Sequence, residues 1–157
     1  MIGQGIYRLL KAMVFKERSV HILALSFSLG VYIAFSPFIG LHTIMIFFLS
    51  WLLSLNIAVT FMATYLINNP WTMIPVYSSG YFFGDWMLSS IFGVDTIASN
   101  PAWMSYINEP IIQCTGIQGV SFWALLTGGN VLGVGLALVL YPIMKKVFGR
   151  IVVRVYP

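Results

Sequence analysis

Few side chains in this chain could do chemistry. There are two histidines, His21 and His42, one cysteine, Cys114, and four acidic residues, Glu17, Asp85, Asp95 and Glu109. Metal ions need clustered ligands. These positions are scattered, so neither a metal nor another cofactor is expected. Nucleophilic catalysis needs a base that a third group orients. Ser36 and His42 could meet, but residues 19–84 hold no carboxylate to orient the histidine. No glycine-rich phosphate loop follows a strand-like stretch. The lone cysteine excludes an intramolecular disulfide. An enzyme is not expected.

Two polar clusters suited to binding remain. One holds Ser36, His42 and Thr43, within Phe35-Ser36-Pro37-Phe38-Ile39-Gly40-Leu41-His42-Thr43. The other holds Asn69, Thr72 and Tyr77, within Asn68-Asn69-Pro70-Trp71-Thr72-Met73-Ile74-Pro75-Val76-Tyr77. Both lie inside residues 19–84, a run without Asp, Glu, Lys or Arg. Intramembrane ionisable residues are functional hypotheses by default, which singles out His42. Its imidazole either contacts a ligand or satisfies carbonyls freed by Pro37. Asn69 is likewise either a turn residue or a ligand contact. His21 follows the basic N-terminal segment and reads as interfacial.

The surrounding chain explains why these clusters matter. Of its 157 residues, 59% are hydrophobic and 8% charged, with a mean hydropathy of +0.91. A soluble domain carries about 25% charged residues, so the composition is that of a membrane protein. A spanning helix must satisfy its backbone internally, because hydrocarbon offers no water. Proline removes an N–H and pushes the preceding residue out of helical geometry. Pro37 and Pro70, with Gly40 and Pro75, therefore read as structural breaks that must be covered by protein or line a wet cavity. Transporters build midplane binding sites from such discontinuous helices. The two breaks are expected to face one another, with His42 and Asn69 lining one polar site. Helix N-termini after Pro37 and Pro70 would favour an anionic head group there.

The formal net charge of +4 does not mark a nucleic-acid binder, because its distribution is terminal. Arg8, Lys11, Lys16 and Arg18 lie at the start, and Lys145, Lys146, Arg150 and Arg154 at the end. That pattern is expected to place both termini in the cytoplasm. No cleavable signal peptide is evident, since the apolar run continues into spans. Residues 2–15 read as an amphipathic helix lying in the head-group layer or packed on the bundle. Residues 1–18 form this cytoplasmic-side element, 19–147 the membrane domain, and 148–157 a basic cytoplasmic tail.

Residues 20–35 and 39–55 are expected to form a short hairpin, re-entrant or barely spanning. Sixteen helical residues reach roughly 24 Å, against a hydrocarbon core of ~30 Å. Asn56 marks a turn, and residues 57–67 with 71–84 make one broken crossing. Residues 85–110 read as an irregular, partly helical extracytoplasmic loop, with Trp86, Trp103 and Tyr106 as interface anchors. Phe47, Phe48 and Trp51 read as lipid-facing or packed. Residues 119–144 return the chain to the inside, with Tyr141-Pro142 at the end of the span. Gly129 and Gly133 form a GxxxG, which allows close helix packing within the bundle or in a homo-oligomer.

The two breaks, in this order and separation, resemble a bacterial membrane family catalogued as domain of unknown function 2062. The matching residues are Gly30, Ser36-Pro37-Phe38, Gly40-Leu41-His42-Thr43, Asn56, Asn69-Pro70, Thr72, Pro75, Tyr77 and Gly84. The resemblance covers residues 20–146. Two positions depart from it: Ile74 replaces the first of two adjacent prolines, and Ser54 a basic residue. The family has no established activity, so the resemblance implies architecture more than chemistry. Some relatives look like fusions to glycosyltransferase domains that use polyprenyl-phosphate sugars, which implies a link to lipid-linked glycans of the envelope.

The expected protein is all-α and polytopic, a small helical bundle with two proline-broken, discontinuous or re-entrant elements. Its expected role is transport or flipping of a small or lipidic, polyprenyl-phosphate-like substrate. The alternative is a non-transporting accessory or scaffold subunit for an envelope glycosyltransferase. A polar cavity reaching the breaks separates the two, because an accessory subunit can be dry there.

Overall fold

A computed structural model describes residues 19–38, 40–116 and 119–155. The expected amphipathic helix at residues 2–15 lies outside them. The described residues are helical and contain no strand. The elements are α1 (Val20–Phe35), α2 (His42–Leu52), α3 (Ile57–Ile67), α4 (Met73–Trp86), a π turn (Met87–Ile91), a 3-10 turn (Ala102–Met104), α5 (Ser105–Thr115) and α6 (Phe122–Val155). Among the described residues one helix, α6, is long and apolar enough to cross a membrane.

α1 is the centre of the bundle. Ser19 starts it, its hydroxyl accepting from Ile22 N–H at 3.4 Å. It stops at Phe35 because Ser36 precedes a proline and is held extended, at φ −61° and ψ 132°. Leu23, Ala24, Val31, Ile33 and Ala34 are fully or almost fully buried. On one side lies α3, whose first residue follows Asn56. That asparagine caps α3 by accepting from Val59 N–H at 3.1 Å. Gly30 makes the contact close, since a Cβ there would stand 2.6 Å from both Ala63 Cβ and the Thr60 carbonyl. Hydroxyls lock the pair: Ser26 accepts from Asn56 N–H at 2.8 Å, and Thr64 donates to the Gly30 carbonyl at 3.1 Å.

On the other side of α1 lies α6. His21 pairs with Tyr141 at 2.6 Å, and Tyr32 with Asn130 at 2.9 Å, so the two helices run antiparallel. Gly129 and Gly133 face the end of α1. A Cβ on Gly129 would meet the Phe35 carbonyl at 2.7 Å, and one on Gly133 the Tyr32 carbonyl at 3.2 Å. α4 occupies the remaining length of α6, again antiparallel. The tightest approach in the fold is here, where Gly80 and Gly84 meet Ala124 and Gly128 backbone to backbone. α2 folds back between the break and α3, with Ser50 donating to Thr60 Oγ1 at 3.1 Å. Phe47, Phe48 and Trp51 on its outer face are exposed.

Several boundaries differ from the sequence expectation. α2 is shorter than residues 39–55, because Gly40 takes φ +86° and Ser54 φ +53° at its two ends. Pro75 does not break a helix. It sits third in α4, in the first turn, where the missing N–H has no intrahelical partner to lose. Residues 85–110 are more ordered than a loop: Asp85 and Trp86 end α4, and Glu109 and Pro110 lie within α5. Two asparagines tie this segment to α6. Asn108 exchanges two bonds with the Val120 backbone, at 2.9 and 3.1 Å, and Asn100 accepts from Phe122 N–H at 2.8 Å. α6 does not stop at Tyr141-Pro142. Tyr141, Met144 and Phe148 pack with Leu23, Ala24 and Val59, so burial on both sides of Pro142 carries the helix through it. Residues 148–155, expected as a tail, are helical.

Candidate functional site

Both proline-bearing connections lead to one place. α1 and α3 end there, and α2 and α4 begin there. Between them is a cavity of about 300 Å³. Gly40, His42 and Thr43 line it from the first connection, and Asn68, Asn69, Pro70, Met73 and Tyr77 from the second, with Tyr65 from α3.

A helix that stops in an apolar interior strands its last carbonyls. Here donors from the other elements meet them. Asn68 Nδ2 donates to the Ala34 carbonyl at 3.0 Å, and His42 Nε2 to the Ser36 carbonyl at 3.0 Å. At the end of α3, Asn69 Nδ2 donates to Leu66 at 3.2 Å and Thr72 Oγ1 to Ile67 at 2.5 Å. The second turn is closed by Asn69 Oδ1, which accepts from Trp71 N–H at 3.0 Å and Thr72 N–H at 3.1 Å. His42 and Asn69 thus each satisfy backbone and also line the cavity.

His42 uses Nε2 as a donor, which fixes the hydrogen on that nitrogen and leaves Nδ1 without a partner among the described residues. The Tyr77 hydroxyl accepts from Asn68 Nδ2 at 2.8 Å and lies 3.5 Å from His42 Nε2. A protonated Nε2 cannot accept, so the Tyr77 O–H is left to donate into the cavity. Thr43 and Tyr65 share one hydrogen bond at 2.9 Å, which leaves one of their two hydroxyl protons over. Leu41 precedes α2 and offers it no side-chain cap, so the first N–H groups of the helix are also open. The carbonyl ends of α1 and α3 are covered while the N–H end of α2 is not. The cavity therefore offers donors and a partial positive potential, without a charged side chain among its lining residues.

Of the residues singled out by sequence, His42, Thr43, Asn69 and Tyr77 line the cavity, with Gly40 and Pro70. Ser36 and Thr72 do not. Ser36 is fully buried and turns its hydroxyl to Met45 Sδ at 3.9 Å. His42 bonds its carbonyl rather than its hydroxyl, so the two are not arranged as nucleophile and base. Thr72 is spent on its own turn. Asn68 and Tyr65 were not among the candidates. In sequence Asn68 reads only as a polar group of the second break, one residue farther than Asn69 from Pro70. Tyr65 was legible only through hairpin register, since a turn at residues 53–56 sets position 43 opposite 65. Among the described residues no three His, Cys, Asp or Glu side chains come together.

No curated protein and no solved structure matches the chain. A family model described as "Uncharacterized protein conserved in bacteria" matches residues 6–155. With nearly its whole length covered, the chain belongs to the family of domain of unknown function 2062.

Proposed function

We propose that this is a polytopic protein of the bacterial inner membrane that moves a small or lipidic substrate, holding its phosphate-like end in the cavity between the two breaks. Supporting the membrane placement, residues 122–144 of α6 carry no charge and reach about 35 Å, enough for a hydrocarbon core. Asp85, Asp95 and Glu109 lie beyond one end of that stretch, and Lys145, Lys146 and Arg150 beyond the other. Between them the surface is apolar, with Trp51, Leu66, Trp71, Ile74 and Leu138 each exposed. In this placement α1 and α2 form a re-entrant hairpin, α3 and α4 one broken crossing, and α6 the return, with both termini cytoplasmic.

One observation carries the transport role: the cavity joins both breaks and presents unspent donors, from Tyr77, the Thr43–Tyr65 pair and the start of α2, in an otherwise apolar shell. Such donors suit an oxygen-rich anion. The resemblance of some relatives to fusions with glycosyltransferase domains suggests a polyprenyl phosphate as the lipidic candidate. The accessory role has its own support, since Asn68, Asn69 and Thr72 are largely used on the chain's own carbonyls.

Reconstitution separates the two. Liposomes carrying a fluorescent, phosphate-terminated isoprenoid are quenched from outside, with and without the protein. Transport predicts faster loss of inner-leaflet signal with the protein, slowed by Tyr77→Phe and abolished by Thr43→Trp. A rate equal to that of empty liposomes, for a folded protein, would leave the accessory role.

A further inference from the structure

The imidazole of His42 is half used. Nε2 donates to the Ser36 carbonyl at 3.0 Å, and Nδ1 has no partner among the described residues. Nδ1 is also accessible. His42 is half-buried, and Ser28 Oγ is the one buried side-chain polar atom without a partner among the described residues. The unpartnered Nδ1 is therefore not sealed within the chain. A neutral Nδ1 offers a lone pair, whereas the other open groups of the cavity are donors. A proton added at Nδ1 makes it a donor too, and sets a full positive charge beside the partial charge at the start of α2. Imidazole is the side chain that makes this change near neutral pH.

No carboxylate waits to pair with that charge. Residues 19–84 hold no Asp, Glu, Lys or Arg. Asp85 comes at the far end of α4. The titratable groups sharing the cavity are Tyr65 from α3 and Tyr77 from α4, which bring hydroxyls. α1 brings the Ser36 carbonyl, while its His21 and Tyr32 are bonded to Tyr141 and Asn130 of α6. A cation set apart from water must be paired, and here the missing counter-ion is an oxyanion. We propose that His42 binds one proton at Nδ1 together with each oxyanion, so that the cavity takes up anion and proton as a pair. The proton comes from water and returns to it when the anion leaves, and no covalent bond to the anion forms. Positive charge is then present only while the anion is held, in a cavity without lysine or arginine. This rests on the oxyanion reading of the cavity and adds the proton to it.

The test uses the full chain in detergent with two probes, inorganic sulfate for a free oxyanion and a short-chain isoprenyl sulfate for a lipid-borne one. Neither probe changes charge across the imidazole range, so pH dependence belongs to the protein. The native chain should bind about tenfold or more weakly at about pH 8 than at about pH 6. The requirement applies to whichever probe is held, and the tighter one identifies the source of the anion. His42→Gln keeps an amide where Nε2 donates to Ser36 but takes up no proton. Its binding should be as weak as that of the native chain at high pH, and the same at both values. His21→Gln should keep the native dependence. In weak buffer at about pH 8, the native chain should also take up about one proton per anion bound, a readout that needs no variant. Binding by the native chain that does not change with pH, or that changes equally in His42→Gln, would overturn the proton and leave the oxyanion site standing. Binding of neither probe at either pH would overturn both.

Discussion

Asn68 donates to the carbonyl of Ala34 across 3.0 Å, from the end of α3 to the end of α1. The same amide nitrogen donates to Tyr77 at 2.8 Å, so one side chain connects three elements. Asn68→Leu keeps the volume close but strands both the Ala34 carbonyl and the Tyr77 hydroxyl. A loss of about 1–3 kcal/mol is expected, measured by denaturation in mixed micelles. Tyr65→Phe, which removes a bond at an exposed edge, should cost far less. Equal losses for the two would mean that Asn68 does not hold the breaks together.

The crossing of α4 and α6 tolerates no side chain. Gly84→Ala would place its Cβ on the Ala124 backbone. Backbone cannot yield as a flexible side chain can, so destabilisation of at least about 1–3 kcal/mol is expected. Gly135→Ala, with nothing near its Cβ, should leave monomer stability unchanged or raised through helix propensity. Comparable melting temperatures for Gly84→Ala and the native protein would contradict the packing.

Gly40 turns the chain from α1 to α2 with φ +86° and open space around it. Gly40→Ala should cost about 1–2 kcal/mol from backbone strain alone. Because no neighbour is crowded, Gly40→Asn should recover part of that loss, since asparagine tolerates the left-handed region. Alanine and asparagine variants of equal stability would show that strain is not the reason for glycine here.

The proposed topology rests on the terminal cations. In a Cys114→Ser background, Ser99→Cys should react with an impermeant reagent added outside intact cells, and Ser19→Cys only after permeabilisation. Labelling of Ser19→Cys but not Ser99→Cys from outside would invert the placement.

Much of this arrangement was legible in the sequence because its causes are local. Pro37 and Pro70 disturb the backbone next to them, and Asn56 caps the residue that follows. Those signals located α1 and α3 to the residue. The extents of α2 and α6 were less legible. Gly40 and Ser54 shorten α2 through left-handed backbone, which only glycine advertises. α6 passes Pro142 because packing on α1 outweighs one lost hydrogen bond, and packing is not written in any short window. The same reason hid the Gly84–Gly128 contact. Gly129 and Gly133 stand out as a spaced pair within one helix, whereas Gly80, Gly84 and Gly128 become a motif only once α4 and α6 are brought together. The polar residues of the two breaks are legible in the sequence, whereas the division of labour among them depends on how the helices meet. Ser36 and Thr72 turn their hydroxyls away from it, while Asn68 and Tyr65 line it.

The central claim is that the cavity holds the phosphate-like end of a substrate. Native mass spectrometry of the detergent-solubilised protein with a short-chain isoprenyl phosphate and the matching free alcohol tests it most directly. The cavity's donors predict a preference for the phosphate of about tenfold or more, equivalent to at least ~1.4 kcal/mol. Tyr77→Phe should reduce that preference and Thr43→Trp, which fills the cavity, should remove it. Equal retention of phosphate and alcohol by the native chain, unchanged by Thr43→Trp, would contradict it.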